Sequence, residues 1–255
     1  MQKPRRRCRL EQRLLSLSTA AFGLILAFGC AHSTGNRSAG APNDGSAQAE
    51  GGEAGARDSV ADQTNSRSQN STASDAGLPR GTLVLHVGDS FAGALGVPLG
   101  QRLKARGLRS VLEFQTSSYV PTWASGTDLP LYVARYNPDL VIVTLGANEF
   151  ELANPEQRAS SVRKLVRVLG GRPCVWVSPP RWKQDSGILA VIRDNVKPCR
   201  YLDSDSVVHD VPRKRDKIHP SDAGRELWAD AVLAWLVRER RPDGARPWDF
   251  KEEAP

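Results

Sequence analysis

At 255 residues the chain is long enough for one large domain or two small ones, but its composition divides unevenly. The formal charge of +7 divides as well: residues 1–29 carry +5, residues 31–79 carry −3, and the remainder carries +5. A mildly basic domain suits anionic glycans or membrane surfaces, and an ordinary solvated basic surface is the alternative. Nothing in the chain resembles a nucleic-acid module, so no nucleic-acid partner is expected.

The first segment, 1–29, reads as a signal peptide. A basic start (Lys3, Arg5, Arg6, Arg7, Arg9 and Arg13) precedes an apolar stretch from Leu14 to Gly29. That stretch falls short of the roughly 20 residues of a membrane-spanning helix and suits a signal-peptide core. It runs into Leu26-Ala27-Phe28-Gly29-Cys30, which resembles a bacterial lipobox with Ala27 where leucine is usual. The resemblance implies a lipid on Cys30, export, and a place in the cell envelope (periplasm or outer membrane) through that membrane anchor. The alternatives are an ordinary secretory signal and an uncleaved anchor.

Residues 30–79 read as a disordered tether. Ala, Gly, Ser, Asn, Asp and Gln dominate it, Val60 and Leu78 are its only large aliphatics, and it has no aromatic residue. Such a segment cannot bury enough apolar surface to offset its chain entropy. From residue 80 to 241 the pattern changes to alternating strands and helices. Runs rich in Val, Ile and Leu occur at 82–87, 110–116, 140–145, 174–178 and 199–203. Segments of helical period lie at 92–106, 129–136, 155–169 and 186–196, and a last one spans 221–239. Near-continuous apolar strands separated by helices predict a five-stranded parallel sheet in a three-layer α/β/α sandwich. Residues 242–255 form an irregular C-terminal tail, whose Trp248 and Phe250 are candidates to pack back on the domain.

Two cysteines open predicted strands, Cys174 and Cys199, and in an oxidising compartment they are free to pair. Two reduced, buried thiols are the alternative. No cofactor or metal is implied.

Loops after the strands are where an open α/β sheet builds its site. Gly88-Asp89-Ser90 ends the first strand, and a helix starting there points backbone N–H groups at a developing oxyanion. The third strand runs into Gly146-Ala147-Asn148-Glu149, where the Asn148 amide is either an oxyanion donor or a turn former. Asp216-Lys217-Ile218-His219 precedes the last helix, and its i, i+3 spacing lets the carboxylate meet the imidazole. A hydroxyl, an imidazole and a carboxylate make up a serine triad. His86 is expected to be buried in its strand, and His209-Asp210 is a rival pair.

Gly88-Asp89-Ser90, Gly146-Ala147-Asn148-Glu149 and Asp216-x-x-His219, in this order, resemble the blocks of the SGNH/GDSL hydrolase family, over about residues 82–240. The resemblance implies a flavodoxin-like sandwich with Ser90 as nucleophile, His219 as base and Asp216 as its partner. It also implies an oxyanion hole from the Ser90 N–H, the Asn148 side chain and a backbone N–H after strand two. Glu149 stands where the family has Asp. The family glycine after strand two is replaced in Gln115-Thr116-Ser117-Ser118, so Ser118 is the expected backbone donor. The implied activity is hydrolysis of short acyl esters, acetyl above all, on an envelope glycan. Glycan O-acetyl transfer and non-catalytic glycan binding are the alternatives. Trp123, Arg181 and Trp182 are the candidate substrate contacts, the rings for sugar faces and the guanidinium for an acid group; rings that only pack the loops are the alternative.

Overall fold

The computed structural model of the chain describes residues 78–252. The expected signal peptide, the expected tether up to residue 77 and Cys30 lie outside the described residues. Five strands form one parallel sheet: β1 (Leu83–Gly88), β2 (Arg109–Phe114), β3 (Leu140–Thr144), β4 (Cys174–Val177) and β5 (Arg200–Leu202). Their order is β2-β1-β3-β4-β5, the arrangement of a three-layer α/β/α sandwich.

Side chains of β1, β3 and β4 are buried at every position, which is why those strands read as unbroken apolar runs. Successive residues feed opposite layers, as the two-residue period of a strand requires. Leu83, Leu85 and Val87 of β1, with Val141 and Val143 of β3, face one core. Val84, Leu140, Ile142 and Val175 face the other. Helices α1 (Ser90–Ala105) and α6 (Asp222–Glu239) cover the second core with Leu95, Leu99, Trp228 and Val232. Helices α2 (Val120–Ser125), α3 (Asp128–Tyr136), α4 (Ala159–Val168) and α5 (Ile188–Asn195) cover the first.

The boundaries differ from the sequence expectation where local chemistry overrides periodicity. Helix α1 begins at Ser90, two residues early, because the buried Asp89 carboxylate caps it by accepting the Phe91 N–H. Strand β2 stops at Phe114, and the segment from Pro155 opens as a 3₁₀ turn, Pro155–Arg158, before α4 begins. Helix α2 was not anticipated: six residues give too short a run for a helical period to show.

Cys174 and Cys199 form a disulfide across the start of the last two strands. The C-terminal segment belongs to the domain. Trp248 is fully buried, its Nε1–H donates to Thr82 Oγ at 3.1 Å, and Phe250 pairs with Arg240. Leu78 lies in the same core, so the fold begins just before the expected boundary.

Candidate functional site

Three loops at the carboxyl ends of the strands build the site. Gly88 ends β1 with φ of +151°, and a Cβ there would come within 1.9 Å of the Thr144 carbonyl oxygen. Only glycine allows β1 and β3 to sit so close while the chain turns into α1. Ser90 follows as the first residue of that helix, where backbone N–H groups have no intrahelical acceptor.

The Ser90 hydroxyl lies 2.9 Å from His219 Nε2, and His219 Nδ1 lies 2.8 Å from Asp216 Oδ2. With an ionised carboxylate at Nδ1, that nitrogen carries the ring proton, and Nε2 is left to accept from the serine. The carboxylate is fixed in turn, because Asp216 Oδ1 accepts the N–H groups of Ile218 at 2.9 Å and His219 at 3.0 Å. The His219 side chain and these two N–H groups hold the Asp216 pKa down at about 2. Lys217 takes a left-handed φ of 59° to close this tight loop. Arg213 braces it from behind by donating to the carbonyls of Ile218, Pro180 and Arg181.

Asn148 sits in the 3₁₀ turn after β3, and one amide hydrogen donates to the Ser118 carbonyl at 2.8 Å. The second amide hydrogen remains for the cleft. Ser118 itself departs from the expectation. Its N–H closes a turn onto the Gln115 carbonyl at 3.2 Å, with Ser117 at a left-handed φ of 59°, so that N–H is not presented as the second backbone donor. The loop meets the site through its carbonyl instead.

Two of the three candidate substrate contacts are corrected. Trp123 is buried in the core, and its Nε1–H donates to Ser118 Oγ at 2.8 Å, so it braces the loop from inside. Arg181 is surrounded by Asp205 at 2.8 Å, Asp203 at 3.2 Å and Asp185 at 3.5 Å, which leave no net positive charge for an acid group. Trp182 does reach the site. It stacks on Phe150 at 4.3 Å and on Phe91 at 5.3 Å, and Phe91 lies 5.3 Å from the His219 ring. These rings wall a cleft of about 240 Å³ that also touches Asn148, Ile218 and His219. Lys183 and Glu151 pair at its rim.

Phe91 and Phe150 were not singled out from sequence, although each follows a site residue by one or two positions. Glu149 was noted only as a replacement. It is 1% exposed, its Oε1 accepts the Val120 N–H at 2.7 Å, and Arg158 lies 3.7 Å away. It therefore ties the start of α2, and with it the Ser118 loop, to the turn that carries Asn148. Burial pushes its pKa up. Asp89, also fully buried, is pushed up to about 7, chiefly by burial and further by the Glu149 charge. His86 lies inside the domain, with Nε2 2.9 Å from Thr144 Oγ, and burial lowers its pKa to about 3. It stays neutral and takes no part at the serine. His209 is exposed and does not line the cleft.

No protein-family model matches the sequence, and no curated protein matches it. Solved structures do match in fold. TesA aligns at 21% identity with a TM-score of 0.50, over 60% of this chain and 97% of its own. An acetyl esterase mutant with an acetate ion aligns at 17% identity with a TM-score of 0.50, over 62% of this chain and 98% of its own. The fold is thus one also found in an acetyl esterase, and the site of this chain sets a serine against a histidine. Fold and site together define a three-layer α/β/α sandwich with a serine, a histidine and an aspartate joined by hydrogen bonds at the carboxyl ends of its strands.

Proposed function

We propose that this protein is a serine ester hydrolase of the SGNH/GDSL type, acting on short acyl esters, acetyl foremost, through Ser90, His219 and Asp216. The observation that carries the reading is the continuous chain of two hydrogen bonds, 2.9 Å from Ser90 to His219 and 2.8 Å from His219 to Asp216.

In this mechanism His219 Nε2 takes the Ser90 proton as the serine oxygen bonds to the ester carbonyl carbon. The imidazolium is stabilised by the ionised Asp216. The Ser90 backbone N–H, aided by the α1 dipole, and the free Asn148 amide hydrogen face the tetrahedral oxyanion. Collapse breaks the bond to the alcohol, which leaves with the proton from His219. Water, deprotonated by the same imidazole, then attacks the acyl-serine and releases the acid. The aromatic wall of the cleft beside His219 favours a ring-shaped leaving group such as a sugar.

The same proposal places the enzyme in the cell envelope, anchored through a lipidated Cys30 and acting on an acylated glycan. The Cys174–Cys199 disulfide supports an oxidising compartment. The test is hydrolysis of p-nitrophenyl acetate, butyrate and octanoate, with fluorophosphonate labelling of Ser90. Acetate should be the preferred ester, and Ser90→Ala should abolish both turnover and labelling. Undiminished turnover in that variant would sink the mechanism.

A further inference from the structure

We infer that the face opposite Ser90 carries a second site, which takes the phosphate group of a phosphorylated ligand. Beside the disulfide, at the amino-terminal edge of the sheet, lies a cavity of about 380 Å³. Its floor is apolar, formed by Val166, Leu169 and Pro198, and four cations, Arg163, Arg167, Arg172 and Lys197, line it with no carboxylate among the lining residues. The partners that hold two of these guanidinium groups in place are neutral. Arg172 donates to the Leu169 carbonyl and to Asn137 Oδ1, and Arg163 donates to Asn195 Oδ1, so both keep their full charge.

The arrangement is costly as it stands. Arg163 and Arg167 are i, i+4 neighbours on α4, and like charges at that spacing destabilise a helix. An anion removes that cost. Guanidinium forks match phosphate oxygens in pairs, and Arg163, Arg167 and Arg172 set three such forks around one cavity. A phosphate dianion or a phosphodiester beside a second phosphate suits the charge. Two further cavities adjoin the first through Gly171 and Arg172, but Asp139 and Asp249 enter their lining and Arg246 pairs with Asp249 at 2.8 Å, so the wholly basic lining is confined to the first cavity. This site is separate from the serine cleft, and its case does not depend on the ester chemistry.

The test is calorimetric titration of the full chain with inorganic pyrophosphate, glycerol phosphate and, as a carboxylate control, citrate, at low and at physiological salt. Arms with phosphatidylglycerol and phosphatidylcholine vesicles identify the source of the phosphate. Pyrophosphate should bind and raise the melting temperature, more tightly than citrate. The R163Q/R167Q variant, confined to exposed positions, should lose about tenfold or more in affinity while its own melting temperature stays level or rises slightly as the like-charge repulsion is relieved. R167Q/R172Q should lose at least as much, and K214Q/R215Q, which removes equal charge beside His219, should lose little. Retention on phosphatidylglycerol but not phosphatidylcholine, lost in R163Q/R167Q, would support a lipid-borne phosphate. Pyrophosphate binding without vesicle retention would support a soluble one. No binding, equal binding of citrate, or equal losses in R163Q/R167Q and K214Q/R215Q would overturn the inference.

Discussion

Reducing the Cys174–Cys199 bridge should lower the melting temperature of the domain and leave the serine untouched. The two cysteines are 25 residues apart, and the loop they close includes α5 and the approach to β5. Closing a loop of that length removes chain entropy from the unfolded state corresponding to roughly 3.5 kcal/mol at room temperature. For a domain of this size each kcal/mol is about 2–4 °C, so reduction should lower Tm by roughly 7–14 °C. Both cysteines are buried, so the bridge must be reduced in denaturant and the protein refolded in reductant before the melt. The same chain then serves as its own reference, and no side-chain volume changes. The C174A/C199A variant should melt close to the reduced protein and ignore reductant. Fluorophosphonate labelling at a temperature well below both midpoints should be equal in all samples, because the bridge lies at the edge away from Ser90. A shift under about 3 °C would refute the assignment of the stabilisation to loop closure.

Asp216→Asn removes the ionised acceptor at Nδ1 and should cut kcat by about 10³- to 10⁴-fold with the fold intact; retention within tenfold would contradict a triad. Asp89 binds its proton more tightly in the folded domain than in the unfolded chain. It therefore favours folding below its ordinary value of 3.8, and that support is lost as pH rises to about 7. Asp89→Asn keeps a capping oxygen and should flatten the fall in stability between those pH values, worth up to about 4 kcal/mol, in denaturant titrations. Glu149→Ala should free the start of α2 and lower kcat about tenfold or more through a loosened Ser118 loop, whereas Glu149→Gln, which retains the acceptor for Val120 N–H, should restore most of it. Equal kinetics in the two variants would contradict a positioning role.

The sheet was legible because its three middle strands are buried on both faces and leave unbroken Val, Ile and Leu runs. The serine, histidine and aspartate were legible because the features that set them are local. Gly88 and Asp89 shape one turn, and the three-residue step from Asp216 to His219 shapes another. The misread residues were decided by one set of partners distant in sequence and by two local backbone features that leave no pattern. Arg181 is neutralised by Asp203 and Asp205, which arrive from the loop after β5, and nothing near Arg181 announces them. Trp123 looked like a loop aromatic because α2, too short to show a period, is what turns its ring inward. The Ser118 N–H depends on one backbone angle at Ser117, and no residue pattern specifies that a serine will accept a left-handed φ.

The indole of Trp248, held to Thr82, brings the last residues of the domain against the first strand. Both ends of the described chain therefore lie at the edge where the parallel strands begin. A linker joining residue 252 to residue 78 along that edge would leave a cut in an exposed surface turn to open the chain elsewhere with the core unchanged. Such a permuted protein could be fused or immobilised from a chosen side. In the natural order the described chain enters the domain at Leu78, at the edge away from the serine.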